Sequence, residues 1–195
     1  MPRPSRTAER RRELLPVLAE AFVELGFRRA TTAALARRSG VQETILYRLW
    51  PDKKAMFLAA IGHVFERSKA IWTERLASTD GGSAAERLLE YESRHLGEFG
   101  LYRILFAGLG ESDDPEIRAR MRETYRRFEQ FIRRQIEEHR GERGRTSLPA
   151  AELSAWALVG LGTIASLTRE LDLLPAGKRA RLLTEVGRAL LGKRA

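Results

Sequence analysis

Apolar positions along this chain recur every three or four residues almost from end to end, and no run has the alternation and β-branched density that strands need. The pattern predicts an all-α fold. Breaks at Gly26, Ser39 with Gly40, Pro51 with Asp52, Ser78 to Ser83, Gly108 to Pro115, Gly141 to Pro149 and Asp172 to Gly177 cut it into nine helices. Their expected spans are 9–25, 33–39, 43–50, 53–77, 84–99, 101–108, 115–140, 150–171 and 176–191. Three short helices followed by longer ones place a boundary near Pro51, giving an N-terminal domain over 1–52 and a larger helical domain over 53–195. The helix from Lys53 links the two.

The first helix carries apolar residues at Leu15, Leu18, Phe22 and Leu25 and stops at Gly26, where a left-handed residue belongs. Pro16 interrupts it. A proline inside a helix removes one backbone bond and collides with the preceding turn, so the helix either starts near Pro16 or bends there. Residues 1–12, with Arg3, Arg6 and Arg10 to Arg12, then read as a loose basic arm, solvated or reaching into a minor groove.

Thr31 and Thr32 are good N-caps for the next helix, and Gly40 supplies the left-handed conformation needed to leave it. Val41 and a third helix follow at once, which is the form of a helix-turn-helix. At roughly 100° per residue, Glu43, Thr44, Tyr47 and Arg48 occupy one half of the third helix, and Ile45, Leu46, Leu49 and Trp50 the other. The apolar half must face protein. The polar half is then presented outward, either to solvent or to a major groove, which accepts such a helix.

Charge sharpens that choice. The chain carries a net charge of +9, and residues 1–54 hold twelve Lys or Arg against six Asp or Glu, so most of the excess coincides with the helix-turn-helix pattern. Nucleic acid is the first partner class and anionic lipid the second. With no cysteine there is no disulfide framework or thiolate zinc site, in keeping with a reducing, cytoplasmic setting. The longest nearly unbroken apolar run, Trp156 to Leu167, is shorter than the ~20 residues a spanning helix needs, so no membrane is expected. His63, His95 and His139 lie far apart, and the chain has no metal-binding histidine pair, phosphate loop or nucleophile elbow. The expectation is a protein that is not an enzyme and needs no metal or cofactor.

The span FVELGFRRATTAALARRSGVQETILYRLWPDKKAMFLAAI resembles the DNA-binding domain of the TetR (tetracycline repressor-like) family of transcriptional regulators. Phe22, Gly26 with Phe27, Thr31 with Thr32, Ala36 before Gly40 and Val41, Leu46 with Tyr47, Trp50, Pro51 and Lys53 carry the likeness. It implies that the helix from Glu43 to Trp50 enters the major groove. It also implies that Tyr47 and Lys53 each meet a phosphate, that Thr31 and Thr32 act similarly, and that Arg48 reaches bases or phosphates. Such contacts fix register and do not read sequence. Gln42, Glu43 and Thr44 lie at the start of that helix. Glutamine can pair with adenine, and glutamate either accepts from cytosine N4 or simply stabilises its own helix N-terminus. Ile45 and Leu49 stand where the family often has polar residues, for apolar packing or for a thymine methyl.

The same resemblance implies a homodimer on a near-palindromic double-stranded operator, released or held by a small-molecule effector, with repression the usual outcome and activation the alternative. The last two helices carry the apolar excess expected of a dimer interface: Leu153, Trp156, Gly160, Ile164 and Leu167 on one, Leu182, Val186 and Leu190 on the other. An effector, apolar or aromatic in character, would meet Phe65, Tyr91, His95, Tyr102, Phe106, Tyr125, Phe128 and Trp156. The competing reading is a non-specific nucleic-acid or anionic-membrane binder driven by charge alone.

Overall fold

The structure is a computed structural model that describes residues 6–77, 82–96, 102–142 and 149–192. Among these residues every regular element is a helix: α1 (Arg6–Leu25), α2 (Thr32–Arg38), α3 (Glu43–Leu49), α4 (Lys53–Leu76), α5 (Ala84–His95), α6 (Arg103–Gly110), α7 (Pro115–Glu142), α8 (Ala151–Glu170) and α9 (Ala176–Leu191). The expected order and number are reproduced. Arg3, residues 97–99 of the expected fifth helix and residue 101 lie outside the described residues.

One expectation needs correction. Residues 6–12 are not a loose arm, because α1 runs unbroken from Arg6 with Pro16 inside it. Pro16 and Arg12 are both exposed, so the carbonyl that loses its N–H partner can bond to water. Packing groups the chain into two compact units. One compact unit takes the chain up to Arg67 together with residues 100–124, and the other takes Ser68–Phe99 with Tyr125–Ala195. The reason for the first grouping is packing that sequence distance conceals. α6 lies against α1, and buried Gly108 on α6 sits so close to Ile61 and Met121 that a Cβ there would come within 2.7 Å of the Met121 sulfur.

The first unit is built around Leu18, Phe22, Leu35, Leu46, Met56, Phe57 and Ile61, all fully buried. Phe22 and Phe57 meet edge to face at 5.0 Å, and Phe27 lies 4.7 Å from Phe57. Burial of each such side chain is worth about 1.5–3 kcal/mol, and the three rings fix α1 against α4.

The second unit centres on Ala85, Ile136, Ala155 and Leu191, with α9 packed on both α5 and α8. Ser83 opens α5 with a full capping box to Glu86, and its hydroxyl lies 2.6 Å from His139 Nδ1 near the end of α7. Arg140 is the tie among the bundle ends. Its buried guanidinium donates to the carbonyls of Pro149 (2.5 Å) and Leu190 (2.8 Å) and to the Ser154 hydroxyl (2.8 Å).

By length and composition α8 could cross a bilayer, which the run Trp156 to Leu167 understates. Its contacts are those of a bundle helix. It packs on α9, and its buried Ser154, Ser166 and Thr168 lie on the inward face.

Candidate nucleic-acid interface

The turn between α2 and α3 follows from three residues. Thr31 is the N-cap of α2, with extended backbone and a hydroxyl that accepts from the Ala34 N–H at 3.1 Å. Gly40 ends the helix with φ +64°, and because a Cβ there would meet nothing, its left-handed backbone is what calls for glycine. The Val41 N–H then returns to the Ala36 carbonyl at 3.0 Å, and α3 begins two residues later.

On α3 the two halves of the wheel separate as expected. Glu43, Thr44, Tyr47 and Arg48 are exposed, as is Gln42 before them, whereas Leu46, Leu49 and Trp50 are buried and Ile45 is half-buried. Among the described residues the side chains of Gln42, Glu43, Thr44 and Arg48 make no hydrogen bond or ion pair, and Gln42 does not cap its own helix. Leu49 is 4% exposed, which assigns it to packing and removes it as a thymine contact.

Tyr47, 52% exposed, donates its hydroxyl proton to Thr32 Oγ1 at 3.1 Å. The arrangement leaves the Thr32 proton to point elsewhere. Two elements thus share one polar patch whose outward donors suit a phosphate oxygen.

Lys53 is placed otherwise than expected. Its ammonium donates to the carbonyls of Phe27 (2.9 Å), Ala30 (2.9 Å) and Arg28 (3.4 Å) and lies 4.7 Å from the centre of the Phe27 ring. Three donors meet three acceptors, so the lysine is satisfied within the protein and stabilises the α1–α2 turn instead of standing free for a phosphate.

Nearby cations are engaged too. Arg28 pairs with Glu111 at 2.9 Å, and Lys54 with Asp114 at 3.1 Å and Glu116 at 2.6 Å. The hydrogen bond to Glu111 holds Arg28 more firmly charged, and those to Glu116 and Asp114 do the same for Lys54. The Ile117 N–H and the Lys54 ammonium hold the Asp114 carboxyl below its ordinary range. Arg37 and Arg48 are exposed and, among the described residues, without an acidic partner.

One residue at this site was hidden in the basic run at the N-terminus. Arg11 donates from Nε to the Leu49 carbonyl at 2.8 Å and from Nη2 to the same oxygen, and its guanidinium carbon lies 5.9 Å from the Trp50 ring centre. Its place in the sequence carried a signal that was passed over. Arg11, Leu14, Leu18 and Phe22 are in phase on one face of α1, the buried one.

The residues expected around an effector fall in both units. Phe65, Tyr102 and Phe106 belong to the first, and Tyr91, His95, Tyr125, Phe128 and Trp156 to the second. Phe65 and Phe128 are buried in their respective cores, Phe128 edge-on to Trp72 at 5.7 Å. Tyr91 stacks on His95 at 4.3 Å. Burial raises the Tyr125 hydroxyl, and its hydrogen bond with Thr163 opposes the rise.

Trp156, expected at both an effector site and a dimer interface, points outward from α8. It joins Leu153, Gly160, Ile164 and Leu167 in a single exposed stripe, with exposures of 64% at Leu153, 40% at Trp156 and 48% at Ile164. Leu171 and Leu173 extend the stripe beyond the expected residues. On α9, Val186 is exposed while Leu182 and Leu190 are half-buried.

Sequence pattern also missed Glu92. The carboxylate accepts from Trp72 Nε1 at 2.5 Å. Burial pushes its acidity to higher pH, opposed by the Trp72 bond and by His95.

Comparison with known proteins bears on these surfaces. Residues 14–60 match the profile of the bacterial regulatory proteins, tetR family. The chain is 33% identical over 131 residues to the nucleoid occlusion factor SlmA of Pasteurella multocida (strain Pm70), covering 64% of each chain. Over 88 residues, 45% of each chain, it is 33% identical to the HTH-type transcriptional regulator BetI of Escherichia coli (strain K12 / DH10B). The matches span less than two thirds of each relative.

Among solved structures, a TetR-family transcriptional regulator from Rhodococcus sp. superposes with a TM-score of 0.81 at 17% identity, over 94% of this chain and 99% of that one. The regulator FadR from Bacillus subtilis in complex with stearoyl-CoA gives 0.72 at 14% identity, over 94% and 98%. A transcriptional regulator from Saccharomonospora viridis in complex with choline gives 0.73 at 18%, over 91% and 94%. These likenesses concern the fold.

Proposed function

We propose that this chain, which belongs to the tetR family of bacterial regulatory proteins, is a cytoplasmic, sequence-specific DNA-binding transcriptional regulator that works as a homodimer on a near-palindromic operator. The observation that carries the reading is α3 itself: a short helix after a glycine turn, its apolar half buried and Gln42, Glu43, Thr44 and Arg48 exposed with no partner among the described residues. In the major groove these side chains are the sequence readers, with Glu43 accepting from a cytosine N4 amine. Tyr47 with Thr32, and Thr31 beside them, set register on the phosphates.

The exposed stripe of α8 with Val186 of α9 supplies the dimer contact, since an apolar row of this length on a water-exposed helix calls for a protein partner. A twofold pair places the recognition helices about one DNA turn apart, roughly 34–36 Å. An effector in the larger part of the chain shifts the protein between operator-holding and operator-releasing states, and it can do so only by its differential affinity for the two. The ligands of the neighbouring structures, stearoyl-CoA and choline, differ too much to choose a class for this chain.

The test is selection of duplexes from random DNA by the purified full-length protein. The reading expects an inverted repeat whose half-sites lie about one turn apart. Retention of all sequences alike, with steep salt dependence, would sink it in favour of charge-driven binding.

A further inference from the structure

α3 has seven residues, fewer than two turns, and a helix so short has no stability of its own. Its pose is therefore set by what grips it. Leu46, Leu49 and Trp50 anchor the inner face, and Tyr47 ties the outer face to Thr32 of α2. The C-terminal end is the remaining problem. The last carbonyls of a helix lack an internal donor, and Trp50 leaves in an extended conformation, φ −137° and ψ 138°. Arg11 answers this by donating from Nε and Nη2 to the Leu49 carbonyl while lying beside the Trp50 ring. It also brings a positive charge to the negative end of the helix dipole.

We propose that Arg11 is a positioning residue for DNA recognition, fixing the angle of α3 against α1 through the Leu49 carbonyl and Trp50, and that it acts without touching DNA. The inference rests on α3 being the helix that meets DNA. Its neighbours in the same basic run behave differently. All three are exposed by surface area, and Arg10 pairs locally with Glu13 at 2.8 Å. Of the three, Arg11 is the one in phase with buried Leu14 and Leu18 on α1, two turns before Leu18, at a place where the pattern otherwise calls for an apolar residue. Its stem covers apolar surface and its planar fork reaches the carbonyl, a task a lysine cannot repeat because its compact ammonium offers neither the fork nor the stacking plane.

The consequence is a split between two kinds of DNA affinity. Base-edge hydrogen bonds depend on the angle of α3 in the groove, whereas phosphate attraction tolerates a shifted helix. The test uses the full-length protein with its selected operator and a scrambled duplex of equal length. Wild type, Arg11→Lys and Arg11→Met are titrated at several salt concentrations, at a temperature where circular dichroism shows each fully folded.

Positioning expects both variants to lose about tenfold on the operator, with scrambled-duplex affinity and salt slope unchanged even where the charge is gone. A phosphate contact expects Arg11→Lys to bind as wild type does, and Arg11→Met to weaken on both duplexes with a salt slope reduced by about 0.9. That result overturns the proposal, as does an equal loss on both duplexes in Arg11→Lys. A wild-type protein that shows no sequence preference removes the DNA-recognition reading, and the role of Arg11 with it. Preference intact in wild type and in both variants removes the role of Arg11 alone.

Discussion

α3 and α8 each turn one face away from the protein, and the two faces are chemical opposites. α3 presents Gln42, Glu43, Thr44, Tyr47 and Arg48, while α8 presents Leu153, Trp156, Ile164 and Leu167. A polar face meets groove edges and phosphates, whose hydrogen bonds repay desolvation; an apolar face is satisfied only by another apolar face. The units around them differ in the same sense. In the first, charge pairs across elements at the surface, as with Arg28 and Glu111 or Lys54 and Asp114. In the second, Glu92 is tied to Trp72 and Arg140 to backbone carbonyls and a serine. The exposed apolar stripe of α8 and the exposed polar face of α3 are what the proposed self-association surface and the proposed polyanion surface rest on.

The largest expected effect comes from reversing the apolar face. Ile164→Glu combined with Leu167→Glu places two charges in the middle of the stripe, and sedimentation should then report monomers. Operator affinity should fall by roughly 10²- to 10⁴-fold, because two linked half-site contacts become one. A double variant that stays dimeric and binds as wild type does would show that the stripe serves another purpose.

Changes to the polar face should be smaller and should differ among themselves. Tyr47→Phe removes the donor to Thr32 and the hydroxyl proposed to meet a phosphate. It should weaken binding to every duplex by about five- to tenfold, corresponding to ~1 kcal/mol. Glu43→Gln should leave overall affinity within a few-fold but change the selected base opposite it, since base discrimination of about 1–3 kcal/mol passes from cytosine to adenine. If the selected motif is the same for both proteins, Glu43 only stabilises the start of its helix.

The periodic helices, the glycine turn and both outward faces were legible in the sequence because each follows from local spacing. Contacts between distant residues were not. Lys53 has the position of a phosphate ligand by resemblance, yet it sits on three carbonyls 23 to 26 residues away, which spacing does not reveal. Arg11 was concealed by its neighbours, since three successive arginines look like an arm until the phase of Leu14 and Leu18 is applied to them. The grouping of the chain by packing is hidden from the sequence for a related reason. Membership of residues 100–124 in the first unit depends on Gly108 meeting Ile61 and on α6 meeting α1, contacts between segments more than forty residues apart. Trp156 was assigned to two surfaces, and only its side of α8 decides between them.

The smallest effects are on stability, and they give the two units opposite responses to pH. Asp114 in the first unit has its acidity strengthened in the folded protein by the Ile117 N–H and Lys54. Its contribution is present above the unfolded-state value of about 3.9 and is lost as pH falls through the lower folded value. Glu92 in the second unit is shifted the other way by burial. Stability linked to it is fully present below the unfolded-state value of about 4.3 and is lost as pH rises through the higher folded value. Asp114→Asn should therefore lower the urea midpoint at pH 7, by an amount that shrinks as pH falls below about 3.9. Glu92→Gln keeps an acceptor for Trp72 without the charge, so it should raise the midpoint at pH 7 by a few tenths molar, for a gain on the order of 0.5 kcal/mol, and lose that advantage near pH 4. Urea titrations at the two ends of this range decide the matter. Parallel rather than opposed pH responses would mean that the Glu92 carboxylate is well solvated in the folded protein, and that the contrast between surface charge in one unit and buried charge in the other does not extend to it.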